Sequence, residues 1–301
     1  MKMMRKYLTN NIFQCIRFAI QQKRFGRKYA WIRAIFLVYT KLEIPFVEYT
    51  VTTRCTLKCK HCSNLIPHMK IKEDIAFEEA KKEVNSLLNC VDYIYRFKIH
   101  GGEPFLYSHL GELIFFLDQQ KKIGEIQLST NGTIIPDYKI LLALKKANVL
   151  VYVSGYPSNI VPHREELLKV LRENQIRFRD LNDQKWSDTG SVEKRDRTQK
   201  TQLELMEICS MANCKSLSNH TLYLCSRCSN GEKLGYFEEK NKVRLTENKK
   251  KVRKELRKFY LLRPTVGCEH CDGVIEGRNM IPSAIQMEVT NGSYHSKGSI
   301  S

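Results

Sequence analysis

The stretch Cys55-Thr56-Leu57-Lys58-Cys59-Lys60-His61-Cys62 constrains this chain more than any other. Its cysteines are spaced CxxxCxxC. Iron–sulfur clusters are commonly held by four cysteine thiolates. A cubane four-iron four-sulfur cluster bound by these three would keep one iron open to a further ligand. The apolar run Ile44 to Val51 reads as a buried strand and leads directly into the cysteines. A second strand-like run, Tyr93 to Ile99, leads into His100-Gly101-Gly102-Glu103-Pro104. The competing reading of the three cysteines is a structural zinc site closed by His61 or His68, or buried free thiols.

From Phe46 the pattern alternates. Phe77, Ala80, Val84, Leu87, Leu88 and Val91 form one helical face. Leu110, Leu113, Ile114 and Leu117 mark a second helix, Ile140 to Lys146 a third, and Glu165 to Arg172 a fourth. Strands are expected at Glu125–Ser129 and Val149–Val153, with a fifth at Gln175–Phe178. Repeated strand–helix units imply a parallel sheet with right-handed crossovers. Ser129-Thr130-Asn131-Gly132 and Ser154-Gly155-Tyr156-Pro157 fall at strand ends, where glycine lets backbone approach a ligand and serine or asparagine can hydrogen-bond one.

The cysteine motif and Gly101–Pro104, in this order and each after a strand, resemble the radical S-adenosylmethionine (SAM) enzymes. The resemblance covers Phe46 to Ser154 and argues against zinc. It implies an α/β fold with a partial (β/α)6 TIM barrel. It also implies that Cys55, Cys59 and Cys62 hold a 4Fe-4S cluster whose open iron is chelated by SAM. His61 would lie near the adenine, and Gly101, Gly102, Glu103 and Pro104 against the methionine amino group. Ser129 and Asn131 would approach the SAM ribose or carboxylate, and Ser154 would end the next strand near SAM.

Six more cysteines follow: Cys209, Cys214, Cys225, Cys228, Cys268 and Cys271. Thr221 to Leu224 reads as a strand after a turn at Ser218-Asn219-His220, and Arg244 to Leu262 as a basic helix. A cysteine, a second across a hairpin, a helix and a CxxC resemble the twitch subdomain of radical SAM enzymes, a shortened SPASM domain. The resemblance implies a small C-terminal α+β subdomain with one auxiliary 4Fe-4S cluster on Cys214, Cys225, Cys268 and Cys271. Cys209 and Cys228 are surplus, and either could replace Cys214 or Cys225. A zinc knuckle with four cysteine ligands is the alternative.

The expected organisation is an N-terminal helical segment (1–43), a barrel core (44–180), a linker or active-site loop (181–208), the cluster subdomain (209–278) and a disordered tail (279–301). Ile12, Ile16, Ala19 and Ile20, then Trp31, Ile35 and Val38, give the first segment its apolar face. Eleven cysteines, an odd number and mostly clustered, argue for metal ligation in a reducing compartment rather than for disulfides. Cys15 and Cys90 read as buried thiols. No window reaches the roughly 20 apolar residues of a transmembrane helix, and a cytoplasmic location is expected. The net charge of +18 would suit nucleic acid, but no nucleic-acid motif accompanies it.

The expected activity is reductive cleavage of SAM and abstraction of a substrate hydrogen, oxidising or modifying a small molecule or saccharide. A SPASM-type peptide or protein maturase is the rival within the enzyme class. A non-catalytic iron–sulfur or zinc binding module is the rival outside it. A flavodoxin- or ferredoxin-type electron donor is implied by the resemblance. Tyr156, Tyr223, Trp186 and Glu269 are placed near the active end or the second cysteine set, and no general acid or base is assigned.

Overall fold

The computed structural model describes residues 41–182, 185–259 and 265–288. The helical reading of the first forty residues, Cys15 and positions 289–301 lie outside them.

Five parallel strands form the heart of the molecule: β1 (Glu43–Thr50), β2 (Tyr93–His100), β3 (Ile123–Thr130), β4 (Leu150–Ser154) and β5 (Phe178–Leu181). Four helices connect them: α1 (Phe77–Cys90), α2 (Leu110–Asp118), α3 (Tyr138–Lys146) and α4 (Arg164–Glu173). The strand order β5-β4-β3-β2-β1 places every strand beside its predecessor. The sheet therefore winds in one direction with no switch point, as a barrel wall does. Parallel strands covered by helices read as near-continuous apolar runs, and β1 is buried at six of its eight positions.

Each helix buries the stripe its spacing dictates. In α1 the buried residues Ala80, Val84, Leu87 and Leu88 recur at helical intervals. Its first turn carries Glu78 and Glu79 where the helix dipole favours anions. Asp137 caps α3 by accepting from Ile140 N at 2.9 Å. The fifth strand starts three residues later than the apolar pattern suggests, because Gln175 takes a left-handed turn (φ 57°) and Ile176 is buried before pairing begins at Phe178.

The C-terminal part continues the same sheet. After β6 (Lys185–Ser187) and α5 (Gln199–Ile208), strand β7 (Lys215–Ser218) pairs parallel to the free side of β1. The hairpin expected at Ser218–His220 is present: β8 (Thr221–Tyr223) returns antiparallel, and β9 (Val243–Arg244) pairs beyond it. The sixth parallel strand thus comes from the cysteine-rich half. Helices α6 (Ser226–Lys233), α7 (Lys249–Phe259) and α8 (Val266–Glu269) follow. The basic helix starts at Lys249 rather than Arg244; it buries Val252 and Leu256, and Arg253 pairs with Asp92 at 2.7 Å.

Two segments differ from expectation. Helix α5 lies in the stretch read as a linker; Thr198 caps it and Met206 is buried. Residues 279–288, read as the start of a disordered tail, are ordered. Strand β10 (Met280–Pro282) pairs antiparallel with β6, and the chain then runs along the cysteine loop. The short apolar run from Met280 to Ile285 accounts for this order; the Ser, Asn and Gly content rises only later.

Candidate active site

The cysteine loop leaves β1 at its carboxyl end and is held by two strips of backbone. Gly102 N donates to Thr52 O and Glu103 N to Arg54 O, each at 2.8 Å. This approach leaves no room for side chains. A Cβ on Gly101 would meet Thr52 O at 2.4 Å, and one on Gly102 would meet Arg54 O at 2.1 Å and the Cys55 Cβ at 2.7 Å. The second strip comes from the C-terminal segment: Lys60 N donates to Ile285 O and Met287 N to Lys58 O, both at 2.8 Å. Gly102→Ala is expected to push the loop off its strand. Overpacking of this kind costs about 1–3 kcal/mol. A lowered Tm together with reduced iron after reconstitution would confirm it; unchanged iron loading would contradict it.

Glu103 and Pro104 stand behind the loop rather than in the cavity. The Glu103 carboxylate is fully buried. It accepts from Phe105 N (3.1 Å), Thr130 Oγ1 (2.9 Å) and Asn131 N (2.7 Å), so it fixes the end of β3 against β2. Asn131 in turn reaches back, its Nδ2 lying 3.0 Å from Thr56 Oγ1 and 3.6 Å from Cys55 Sγ. Burial pushes the Glu103 carboxyl up to about 7 from an ordinary 4.5, against those donors. Between these values the folded chain holds a proton that the unfolded chain has released, so this group lowers stability as pH rises across the window. Glu103→Gln leaves an N–H facing a donor. It should cost about 1–3 kcal/mol and remove that slope from a plot of Tm against pH. A wild-type slope that persists in the variant would show that another group causes it.

Cys55, Cys59 and Cys62 open into one cavity of ≈ 360 Å³, which Gly101, Gly102, Ser129, Asn131 and Ser154 also line. His61 lies on its rim, with Nδ1 3.2 Å from Asp188 Oδ1. Burial raises all three thiols, Cys55 to about 11 and Cys59 to about 12. Donors nonetheless face all three sulfurs: Leu57 N lies 3.5 Å from Cys55 Sγ, Gln286 Nε2 3.4 Å from Cys59 Sγ, and the backbone N–H groups of Asn64, Leu65 and Ile66 face Cys62. Buried sulfurs approached by N–H groups suit thiolate ligands of a metal centre, whose binding releases the protons.

The deep side of the cavity carries residues the sequence reading did not single out. Glu48, Lys98 and His100 project from β1 and β2, and Tyr152 from β4. Glu48 is 4% exposed, with Lys98 Nζ 3.4 Å from Oε1 and His100 Nε2 4.0 Å from Oε2. Oε2 has no hydrogen-bond partner among the described residues. Burial depresses His100 to about 4 although Glu48 opposes this, so its imidazole is neutral near pH 7. Tyr156 and Trp186 complete the wall in edge-on contact, their ring centroids 5.6 Å apart. The available signal was charged residues inside strands that read as buried, since a buried charge needs a partner or a purpose.

The second cysteine set does not gather as predicted. Cys209, Cys225, Cys228, Cys268 and Cys271 line one pocket, and Cys214 does not. Donors face the sulfurs of three of them: Val274 N at 3.4 Å from Cys209, Gly273 N at 3.2 Å from Cys271, and Thr265 Oγ1 at 3.1 Å from Cys268. Cys225 stands at the N-cap position of α6 with Cys228 Sγ 3.6 Å away, and the contact with Cys228 keeps Cys225 the more easily ionised of the pair. The Cys214 sulfur instead sits 3.9 Å from the carbonyl oxygen of Ser210, as a neutral thiol would. Ser63, Met211 and Val274 line both this pocket and the large cavity. Of the other named residues, Tyr223 packs in the small core beside Cys228, and Glu269 pairs with Lys194 at 3.1 Å.

Residues 49–157, from the end of β1 to Pro157, match the family model described as the Radical SAM superfamily. The match covers a little over a third of the chain and holds both the cysteine loop and Gly101–Pro104. The chain is 29% identical to Fe-coproporphyrin III synthase of Methanosarcina barkeri over 126 residues, 42% of this chain and 30% of that one. It is 30% identical to GTP 3′,8-cyclase of Pelotomaculum thermopropionicum over 112 residues, 36% of this chain and 32% of that one. The chain thus spans about a third of the length of these curated relatives. Among solved structures it is similar to BtrN in complex with AdoMet and 2-DOIA, with a TM-score of 0.42 and 15% identity, covering 77% of this chain and 98% of that one. It is also similar to native anSMEcpe with bound AdoMet and a peptide, with a TM-score of 0.38 and 21% identity, covering 46% and 42% of the two chains. The radical SAM family to which this segment is matched implies a 4Fe-4S cluster and SAM. No described helix is long and apolar enough to cross a membrane.

Proposed function

We propose that this protein is a radical SAM enzyme that abstracts a hydrogen from a polar small molecule, with a saccharide as the class its cavity fits best. One observation carries the reading. A single cavity joins the three-cysteine loop and the Gly101–Gly102 strip to a floor of hydrogen-bonding groups and an aromatic wall. Cys55, Cys59 and Cys62 would hold the cluster, with Gly101, Gly102, Ser129, Asn131, Ser154 and His61 around SAM. Cys209, Cys225, Cys268 and Cys271 would hold an auxiliary cluster. When bound, these groups supply a 5′-deoxyadenosyl radical for hydrogen abstraction and, at the second site, an acceptor for the electron that an oxidation leaves behind.

The chain's own residues do the rest. The unpaired Glu48 oxygen accepts a hydroxyl or amine, Lys98 donates, and neutral His100 can do either. Tyr156 and Trp186 offer ring faces to the apolar side of a sugar and keep water from the reacting carbon. The auxiliary pocket shares wall residues with this cavity, which supports a role in the substrate's oxidation. A flavodoxin- or ferredoxin-type protein would deliver the reducing electron.

The test is anaerobic. The protein is reconstituted with iron and sulfide, reduced and given SAM; 5′-deoxyadenosine is then assayed and iron counted. Deoxyadenosine with about eight irons per chain, two four-iron clusters, supports both halves of the proposal. Deoxyadenosine with about four would leave the enzyme and return the second site to zinc. Cluster-loaded protein that neither binds nor cleaves SAM would overturn the reading in favour of a binding module.

A further inference from the structure

Arg227 lies at the start of α6, 6% exposed. Its guanidinium donates to Thr189 Oγ1 and to the carbonyl oxygens of Gly190 and Ser191, each at 3.0 Å, and to His270 O at 3.5 Å. These are dipoles, not charges: among the described residues no carboxylate pairs with it. A buried cation without a counter-ion is expensive.

The surroundings show where the compensating charge belongs. Arg227 stands between the two cysteine sites, which are stitched together around it. On one side, Ser226 Oγ donates to Asn64 Oδ1 (2.6 Å) and Asn230 Nδ2 to Asn64 O (2.7 Å), two residues past Cys62. On the other, it grips the carbonyl next to Cys271, and Asp272 N donates to Thr189 O at 2.9 Å. The segment holding its guanidinium is the same one whose Asp188 meets His61. Arg227 itself lines the pocket formed by Cys209, Cys225, Cys228, Cys268 and Cys271, and Ser63, beside Cys62, lines it too.

We propose that Arg227 is a positioning residue shared by the two cysteine sites, its buried positive charge offsetting the negative charge of thiolate-ligated clusters at both and raising their reduction potentials together. This rests on the two-cluster reading above. A fixed cation stabilises the reduced form, which carries the extra electron, so removing the charge makes reduction harder.

The test compares Arg227→Gln with Arg227→Lys in reconstituted full-length protein, by spectroscopically monitored redox titration. The auxiliary site is also titrated alone in a Cys59→Ala background. The glutamine variant should lower both potentials by at least a tenfold change in the reduction equilibrium, ~59 mV for one electron, and lysine should restore most of the loss. If the glutamine variant fails to load either cluster, loading in the lysine variant still shows that the charge is what matters. Unchanged potentials in the glutamine variant, or equal failure of both variants, would overturn the proposal and leave Arg227 as a packing residue. Iron counts on unmutated protein report separately on whether two clusters exist.

Discussion

Replacing Cys59 by alanine is expected to abolish 5′-deoxyadenosine formation and to leave the fold standing. The side chain is 7% exposed and opens into the large cavity, where its sulfur has Gln286 Nε2 as a donor. The loop around it is kept by backbone: the neighbouring Lys60 N to Ile285 O bond and the bridge between Cys59 and Gln286 survive loss of the thiol. The fold should therefore lose little, within the roughly 0.5–3 kcal/mol usual for single substitutions. The site would lose one of the three ligands proposed for it, and two thiolates would not hold a cubane with one open iron. Iron should fall from about eight to about four per chain, with deoxyadenosine at background and a cooperative melt retained. Deoxyadenosine at the unmutated rate would remove the cysteine loop from the chemistry.

The parts legible in the sequence are those that short-range pattern determines. Buried parallel strands declare themselves by apolar runs, and Val47, Ile94, Ile99, Leu128 and Val151 all lie in the core cluster. The two loops that meet at Gly102 were legible because the approach tolerates no Cβ, which confines those positions to glycine. What escaped depends on partners far along the chain. The Met280–Gln286 segment has order only because β6 and the cysteine loop are there to receive it. Glu48, Lys98 and His100 acquire a shared role only once β1 and β2 lie in register, with Glu48 opposite Lys98 and Thr50 opposite His100. Helix α5 follows a charged stretch, and of its few apolar residues only Leu205 and Met206 line a pocket wall.

The second cysteine set shows the same limit, and the pair Cys209 and Cys214 puts it to experiment. Spacing alone cannot choose between them, since both precede the hairpin. The fold does. Cys209 ends α5 and faces the pocket with Cys225, Cys268 and Cys271, and Val274 N is aimed at its sulfur. Cys214 follows a tight turn and its sulfur faces a carbonyl oxygen, which would repel a thiolate. Burial raises both thiols, but backbone N–H groups oppose it at Cys209 and not at Cys214. Cys209→Ala should therefore drop the chain to about four irons, while the cluster at Cys55, Cys59 and Cys62 still supports cleavage of SAM. Cys214→Ala should keep about eight irons and the auxiliary cluster's spectroscopic signature. The opposite pattern would restore Cys214 to the ligand set. Eight irons in both variants would mean that Cys228, 2% exposed and within the same pocket, completes the four.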